Sequence, residues 1–435
     1  MNFKQGNDMY ALAEELFPIC RSITGNGVRE TLNIIKREIP ELQIHEVPSG
    51  TEVFDWMVPK EWNIKDAWVK DFTGKKIIDF RKSNLHVMGY SLPVSKIVSK
   101  KDLVSFLYTE PDQPEVIPYV TSYYKERFGF CCSENQKQEI IETYKESDKF
   151  EINIDSSLED GYLTYGEVLI PTDQQNDFEI FFSTYICHPS LANNELSGPV
   201  LAVELIKYIK SLQNRRYAYR FIFIPETIGS ITYLSKNYKE LKKKVVAGFN
   251  LTCVGDDRTY SYLPTAYGNT LSDKVLKNIL RFHYPNYKTY PHLQSGSDER
   301  RYNAPGIELP VACFSRSLYG MYLEYHTSAD NLSLISPSGL QGSFDVMKKC
   351  IIALEYNKKY RLTCLCEPQL GKRGLYPTLS RKGQYDEVLK LKNFMQYCDG
   401  KNDLIDISNI INVSVDELLL YVQKFAENGL IEDVK

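Results

Sequence analysis

The chain has 435 residues, and at roughly 150 residues per domain this length suggests about three domains. Lysine and arginine total 52 against 56 aspartate and glutamate, so the net charge is −4, which argues against a dedicated nucleic-acid binder. No apolar run approaches the ~18 residues that a membrane-spanning helix needs, so we expect no membrane partner. Histidine is scarce, with 6 residues, so each one in a suggestive position can be weighed individually.

The N-terminus and the cysteines indicate the compartment. The first residues lack a basic region followed by an apolar stretch, so no secretory signal is predicted. Several of the 10 cysteines, including Cys187 and Cys253, stand in apolar segments, where a free thiol behaves as a small buried hydrophobe. We therefore expect reduced thiols and a cytoplasmic protein.

The predicted elements change character along the chain. Residues 7–39 carry two helical patterns separated by the turn-like ITGNG. Residues 46–160 are rich in Val, Ile, Tyr, Phe and Trp in short runs, which indicates a β-rich region. From residue 177 onward, apolar strand candidates alternate with amphipathic helices. This alternation predicts an α/β fold, with a mostly parallel mixed sheet covered by helices on both faces.

The C-terminal segment has a separate pattern. After the Gly- and Arg-containing stretch at 371–383 come three helical patterns and a short strand-like LIEDV. Ser414 is typical of a helix N-cap, and Gly429 of a helix C-cap. This order predicts a winged helix. The resulting domains are an α/β domain formed by 1–45 and 161–370, an inserted β-rich domain at 46–160, and a winged helix-turn-helix domain at 371–435.

Polar residues with ligand chemistry cluster where the predicted strands end. In open α/β sheets, ligands bind outside the carboxyl ends of the strands. The residues found there are His188, Asn194 and Glu195 after FFSTYIC, Glu226 after FIFIP, Asp256, Asp257 and Arg258 after FNLTCVG, Asp298, Glu299 and Arg300 before the final strand, and Glu324, His326 and Asp330 after it.

Each of these residues has a plainer structural interpretation when taken alone. His188 could be a hydrogen-bonded loop residue, Glu195 an acidic residue at a helix start, and Asp330 a helix cap. Their coincidence at one sheet edge favours a functional site instead. Two imidazoles and a carboxylate form a catalytic zinc set that leaves one position for water, and a further carboxylate could act as general base.

The motifs resemble those of the zinc exopeptidases of the bacterial-aminopeptidase type. The segments that carry the resemblance are HPS at 188–190, NNELSG at 193–198, PETIGS at 225–230, GDDR at 255–258, GSDER at 296–300 and EYHTS at 324–328. More narrowly, they resemble the aminopeptidase-like group associated with polysaccharide biosynthesis, which also has an inserted β domain and a C-terminal winged helix. The resemblance implies a zinc-dependent amide or peptide hydrolase.

Three positions depart from the two-zinc pattern of that family. Asn194, Thr227 and Thr252 stand where the resemblance implies carboxylate ligands. An amide or hydroxyl is a poor bridging ligand, so one zinc ion is favoured over two. The resemblance then leaves His188, Glu195 and His326 as zinc ligands and Glu226 as the catalytic base.

The remaining polar residues are expected to support the site or the substrate. They are Asn194, Asp257, Arg258, Asp298, Glu299, Arg300 and Asp330. An acidic group among them could hold a substrate ammonium, whereas Arg258 or Arg300 could hold a carboxylate. The sequence leaves both choices open, and the expected substrate is a small peptide or amide.

Two other functions compete with catalysis. The lost carboxylates also fit a degenerate peptidase fold that only binds a peptide or an amino-sugar. A DNA-binding regulator is disfavoured, because the predicted recognition helix carries Asp416, Glu417 and Glu427 against only Lys424. The winged helix is more simply expected to pack against the body of the protein or to mediate homo-oligomerisation.

The three tryptophans, at positions 56, 62 and 68, all fall in the inserted region. We expect them to form the core of a small β domain. Exposed rings would instead suit stacking on sugars.

Overall fold

A computed structural model of the chain describes residues 3–375 and 384–434. The α-helices are α1 (Lys4–Leu16), α2 (Asn26–Glu38), α3 (Lys100–Ser105), α4 (Glu134–Thr143), α5 (Ser197–Ser211), α6 (Ile228–Lys244), α7 (Leu271–His283), α8 (Glu299–Tyr302), α9 (Pro337–Tyr356), α10 (Gln384–Tyr397), α11 (Leu404–Ile411) and α12 (Val415–Glu427). Short 3₁₀ turns cover Asn84–His86, His292–Gln294 and Gly371–Arg373, and a π-helical turn covers Ala192–Leu196.

The strands are β1 (Gln43–Pro48), β2 (Glu52–Val53), β3 (Trp56–Met57), β4 (Glu61–Lys70), β5 (Lys76–Asp79), β6 (Val94–Ser99), β7 (Leu107–Tyr108), β8 (Phe130–Cys131), β9 (Lys149–Glu159), β10 (Tyr162–Ile170), β11 (Glu179–Tyr185), β12 (Ala218–Ile224), β13 (Val245–Leu251), β14 (Ser261–Leu263), β15 (Lys288–Thr289), β16 (Val311–Ser315), β17 (Lys359–Leu362), β18 (Asp399–Asp403) and β19 (Ile431–Val434).

A mixed sheet forms the centre of the α/β fold. Within the described residues its strand order is β1-β10-β12-β11-β13-β16-β14-β15. The four central strands β12, β11, β13 and β16 are parallel to one another. Antiparallel strands extend the sheet on both sides, with β10 pairing β12 and β14 pairing β16. Every residue of β11 is buried, as expected for a strand covered on both faces. The predicted α/β class with a mixed sheet is confirmed.

The inserted region leaves and rejoins this sheet at adjacent strands. Strand β1 pairs antiparallel with β10, and Pro48 lies opposite Tyr162. Between them, β5, β4, β9 and β6 form a separate antiparallel sheet, so the predicted β-rich insertion is present. Strand β1 spans the boundary expected between residues 45 and 46, because it belongs to the large sheet.

The three tryptophans differ in burial, so they do not all follow the expectation of a shared core. Trp62 is 3% exposed and its Nε1 donates to the Ser91 carbonyl at 2.9 Å, so it belongs to the core of the insertion. Trp68 is half-buried, and the ammonium of Lys70 lies 3.8 Å from its ring centroid. Trp56 is 39% exposed, so the expectation of a shared core is wrong for this residue.

Packing divides the chain into two compact units. The first comprises residues 1–266 and 289–344, and the second comprises 267–288 and 345–435. The second unit contains helices α10 to α12 with the small sheet β18-β17-β19, as a winged helix requires. Helix α7 packs there too, since Asn278 donates to the Ser408 hydroxyl at 2.8 Å. The predicted residue boundaries of the three domains stay predictions.

Among the described residues, every helix is too short or too polar to span a bilayer.

Gly198 lets α5 approach the central strands closely. A Cβ at this position would lie 2.2 Å from Thr184 Oγ1 and 2.5 Å from the Leu251 carbonyl oxygen. The carbonyl belongs to the sheet and cannot rotate away. We therefore expect Gly198→Ala to lower the free energy of unfolding by about 1–3 kcal/mol, measured by urea denaturation. Gly371→Ala, where a Cβ meets nothing within 4 Å, should stay within about 0.5 kcal/mol of wild type. Equal stability of the two variants would contradict the close approach.

Candidate metal and catalytic site

His188 and Glu195 meet beyond the end of β11. The chain leaves the strand at Tyr185, and the π-helical turn at 192–196 returns Glu195 to His188. His188 Nδ1 lies 2.8 Å from Glu195 Oε2, and the two residues are 4% and 1% exposed. The other imidazole nitrogen, Nε2, lies 3.9 Å from Glu226 Oε2. The structure therefore brings three of the predicted residues together around one imidazole.

Arg21 supports this pair from the segment between α1 and α2. Its Nε donates to the His188 carbonyl at 3.0 Å and lies 3.4 Å from Glu195 Oε1. The guanidinium is fully buried, and it also donates to the Leu16 carbonyl at 2.8 Å. Arg21 was missed by sequence reasoning, because no motif surrounds it and its partners are distant in the chain.

Burial sets the protonation of the imidazole. Burial, together with the nearby Arg21 charge, lowers the pKa of His188 to about 3. The neutral imidazole is the form that binds metal ions. Burial also raises the pKa of Glu195, while the Arg21 guanidinium opposes that rise.

His326 reaches the same region from the loop after β16. Its backbone is left-handed, with φ of 57°. Its ring centroid lies 5.4 Å from that of His188, and its buried Nε2 has no hydrogen-bond partner among the described residues. The ring of Tyr119, from the inserted region, lies 5.1 Å from each imidazole. Sequence reasoning also missed Tyr119, which stands in no recognisable motif.

Glu226 follows β12, and its side chain is partly buried but still reaches solvent. Its Oε1 accepts a hydrogen bond from the Ser297 hydroxyl at 2.6 Å, and its side chain is 25% exposed. Burial and the neighbouring carboxylate of Asp298 raise the pKa of Glu226 above its usual value, and the hydrogen bond from Ser297 opposes this rise. A carboxylate with a raised pKa is suited to accept and return a proton near neutral pH.

The turn after Glu226 is held by Asp298. Thr227 has a φ of 64°, an uncommon value for a residue that is not glycine. Asp298 Oδ1 accepts from the Thr227 N–H at 2.8 Å and from the Ser230 hydroxyl at 2.7 Å. Asp298 is fully buried, so it fixes the turn from the protein interior.

The next two residues of the GSDER segment also make internal contacts. Glu299 accepts from Asn250 Nδ2 at 2.8 Å and from the Tyr319 hydroxyl at 2.6 Å. Arg300 donates to the Ser295 carbonyl at 3.1 Å.

An uncharged hydrogen-bond network includes Asn194 and Thr252, two positions where the resemblance to zinc exopeptidases implies carboxylate ligands. Asn194 Nδ2 donates to the Tyr185 hydroxyl at 2.5 Å, and that hydroxyl lies 2.5 Å from Thr252 Oγ1. Burial raises the pKa of Tyr185, which keeps its hydroxyl neutral. The region beside His188 therefore holds amide and hydroxyl groups in place of a second set of anionic ligands.

The other predicted support residues have structural partners. Asp330 accepts the backbone N–H of Asn193 at 2.6 Å and of Asn194 at 3.0 Å, so it caps the turn that carries Glu195. Asp257 accepts from the hydroxyls of Ser336 and Ser338 near the start of α9. Arg258 pairs with Glu324 at 2.6 Å on the surface.

The donor atoms suit a metal ion. Among residues 3–375 and 384–434, the ligand atoms of Cys187, His188 and Glu195 lie within 4.8 Å of one another, and all three residues are buried. Cys187 Sγ already accepts the Glu226 N–H at 3.2 Å, and burial raises the pKa of its thiol. His326 lies outside that group. Its Nε2 is buried without a hydrogen-bond partner in the described part of the chain, and buried polar atoms are normally partnered, so this nitrogen is free to bind a metal ion. Glu195 Oε1 also lacks a hydrogen-bond partner. Neutral imidazoles with a buried carboxylate form the donor set typical of zinc.

Comparison with known proteins agrees with this fold. Residues 10–357 match a family described as a domain of unknown function (DUF4910), and residues 358–433 match a winged helix-turn-helix family. A Clostridium acetobutylicum protein, named for polysaccharide biosynthesis and an aminopeptidase-like domain, is 47% identical over 93% of this chain and 91% of its own.

Two solved structures extend the comparison. A Clostridium acetobutylicum crystal structure described as a peptidase superposes with a TM-score of 0.92 at 44% identity, covering 99% of this chain and 97% of its own. A zinc aminopeptidase from Bacillus subtilis superposes with a TM-score of 0.58 at 13% identity, covering 80% and 94%, which shows a shared fold.

The fold and the relatives together define an aminopeptidase-like α/β protein with a C-terminal winged helix. The chain belongs to the DUF4910 family, whose match spans both the α/β sheet and the inserted region.

Proposed function

We propose that the protein is a zinc-dependent amide or peptide hydrolase of the aminopeptidase type. One zinc ion would be held by His188, Glu195 and His326, with Glu226 as general base. The observation that carries the proposal is the buried His188–Glu195 pair at 2.8 Å with Glu226 Oε2 3.9 Å from the same imidazole. Bound zinc would polarise an amide carbonyl and lower the pKa of water toward ~7.

The proton transfer would be carried out by Glu226, which neighbouring side chains hold in place. Glu226 Oε2 lies 3.9 Å from His188 Nε2, and it can accept a proton from water and return it to the leaving amine. Ser297 holds the other carboxylate oxygen, so Oε2 stays directed at the imidazole. Asp298 fixes the turn at Thr227, which keeps the Glu226 backbone in place.

One ion is favoured over two for a physical reason. A second ion beside His188 would need anionic oxygens to bridge and balance its charge. The side chains at the corresponding positions, Asn194 and Thr252, are instead joined through the neutral Tyr185 hydroxyl.

Hydrolysis assays with zinc present test the proposal. The substrate panel would pair free-amine peptides with their N-blocked forms and include N-acylated amino-sugars, since the Clostridium relative is named for polysaccharide biosynthesis. Faster hydrolysis of the free-amine peptides is expected. Preference for N-blocked substrates would assign a different end specificity, and no zinc-dependent cleavage of any substrate would contradict the proposal.

A second candidate is a binding module that has lost catalysis. It is favoured by the uncharged Asn194, Thr227 and Thr252 at positions that the resemblance assigns to ligands. Such a module would bind a peptide or an amino-sugar at the same crevice without cleaving it. Isothermal titration that shows binding of a peptide or amino-sugar which the zinc-loaded protein does not cleave would favour the binding module.

The winged helix is expected to bind duplex DNA poorly. Helix α12 carries Asp416 and Glu417 in its first turn, and Asp416 is itself paired with Lys349 at 2.7 Å. Acidic groups repel phosphates, so a gel shift at low salt should show no tight complex with random DNA. A nanomolar complex would overturn this expectation.

A further inference from the structure

A segment of the inserted region pairs with the loop that carries His326. The Tyr119 N–H donates to the His326 carbonyl at 2.8 Å, and the Ser328 N–H donates to the Ile117 carbonyl at 2.8 Å. Between them, Pro118 and Thr327 form an isolated antiparallel bridge. These contacts hold the loop at His326 and at the two residues that follow it. His326 has a left-handed backbone, which residues other than glycine rarely adopt.

The Tyr119 side chain contacts the imidazoles of both His188 and His326. Its ring centroid lies 5.1 Å from that of His188 and 5.1 Å from that of His326. Its hydroxyl lies 2.7 Å from the Tyr123 hydroxyl, which fixes the ring from the far end.

We propose that Tyr119 is a positioning residue through which the inserted region holds the imidazoles of His188 and His326 in place for metal binding. The inference rests on the proposed zinc site and extends it. The insertion thereby becomes part of the site, because the α/β core alone lacks the backbone hydrogen-bond partners that residues 117–119 give the His326 loop. Groups that orient metal-binding histidines commonly change metal affinity about 10- to 100-fold when they are removed.

The test compares three full-length variants. Tyr119→Ala removes the ring, Tyr119→Phe keeps the ring and removes the hydroxyl, and Tyr124→Ala removes an exposed aromatic side chain that lies one residue beyond Tyr123. Zinc affinity is measured by competition with a chelator. We expect about 10- to 100-fold weaker zinc binding in Tyr119→Ala, at most a few-fold change in Tyr119→Phe, and wild-type affinity in Tyr124→Ala. The visible spectrum of the Co²⁺-loaded protein should change in Tyr119→Ala alone.

A measurement on the metal-free protein keeps the inference separate from the zinc proposal. With only 6 histidines, the imidazole NMR signals can be assigned individually. In Tyr119→Ala, the signals of His188 and His326 should broaden because the two rings lose the packing that fixes them, and the line width of His45 should stay unchanged. Wild-type zinc affinity in a folded Tyr119→Ala would overturn the inference. If the wild type fails to bind zinc, the zinc proposal is wrong, and unchanged line widths of His188 and His326 in Tyr119→Ala would then also overturn the positioning role.

Discussion

Glu226→Gln is expected to lower zinc-dependent amide hydrolysis by about 10²- to 10⁴-fold, the usual contribution of a positioned general base. Glutamine has the same shape but cannot accept the proton from water. The Ser297 hydroxyl can still donate to the amide oxygen, so the side chain should keep its place. Loss of the charge also removes the repulsion from Asp298, and we expect the fold to be maintained. The measurement is kcat/KM at matched zinc content.

A surface glutamate supplies the control for this variant. Glu308 pairs with Lys242 at the protein surface, so Glu308→Gln should hydrolyse substrate at the wild-type rate. If Glu226→Gln and the wild type show the same background rate, Glu226 is not a base and the binding module becomes the better description.

His188→Ala is expected to abolish zinc binding. The substitution removes both the nitrogen that meets Glu195 and the nitrogen that faces Glu226. Loss of one of three protein ligands should weaken the zinc affinity by at least about 100-fold, larger than the effect of a residue that only orients a ligand. Equilibrium dialysis followed by metal analysis measures the loss.

The matched control is His45→Ala. His45 lies on β1, stacks on Tyr165 and makes no contact with the site. It should keep the wild-type zinc content. Full zinc binding by a folded His188→Ala would move the metal site away from this imidazole.

Local patterns predicted the central strands and their helices. Strands β11 and β12 are adjacent and parallel, so residues that follow each of them emerge at the same edge of the sheet. That rule is why His188 and Glu226 could be expected to approach each other from sequence alone. The short edge strands β14 and β15, with three and two residues, carry too little periodicity to be predicted.

Contacts between distant segments could not be predicted. Arg21 reaches Glu195 across 174 positions, and Tyr119 meets His326 through a loop of the insertion. Neither residue has a local signal, because the chemistry appears only after the segments pack. The same rule of strand ends also pointed to Asp257 and Arg258, whose side chains instead meet serines near α9 and Glu324.

The number of zinc ions per chain tests the central claim most directly. The protein would be purified, stripped with a chelator, reloaded with excess zinc, desalted and analysed by inductively coupled plasma mass spectrometry. The buried His188–Glu195 pair, the unpartnered His326 nitrogen and the neutral Asn194–Tyr185–Thr252 network predict one equivalent. Two equivalents, or none, would contradict a site built from one histidine pair and one carboxylate.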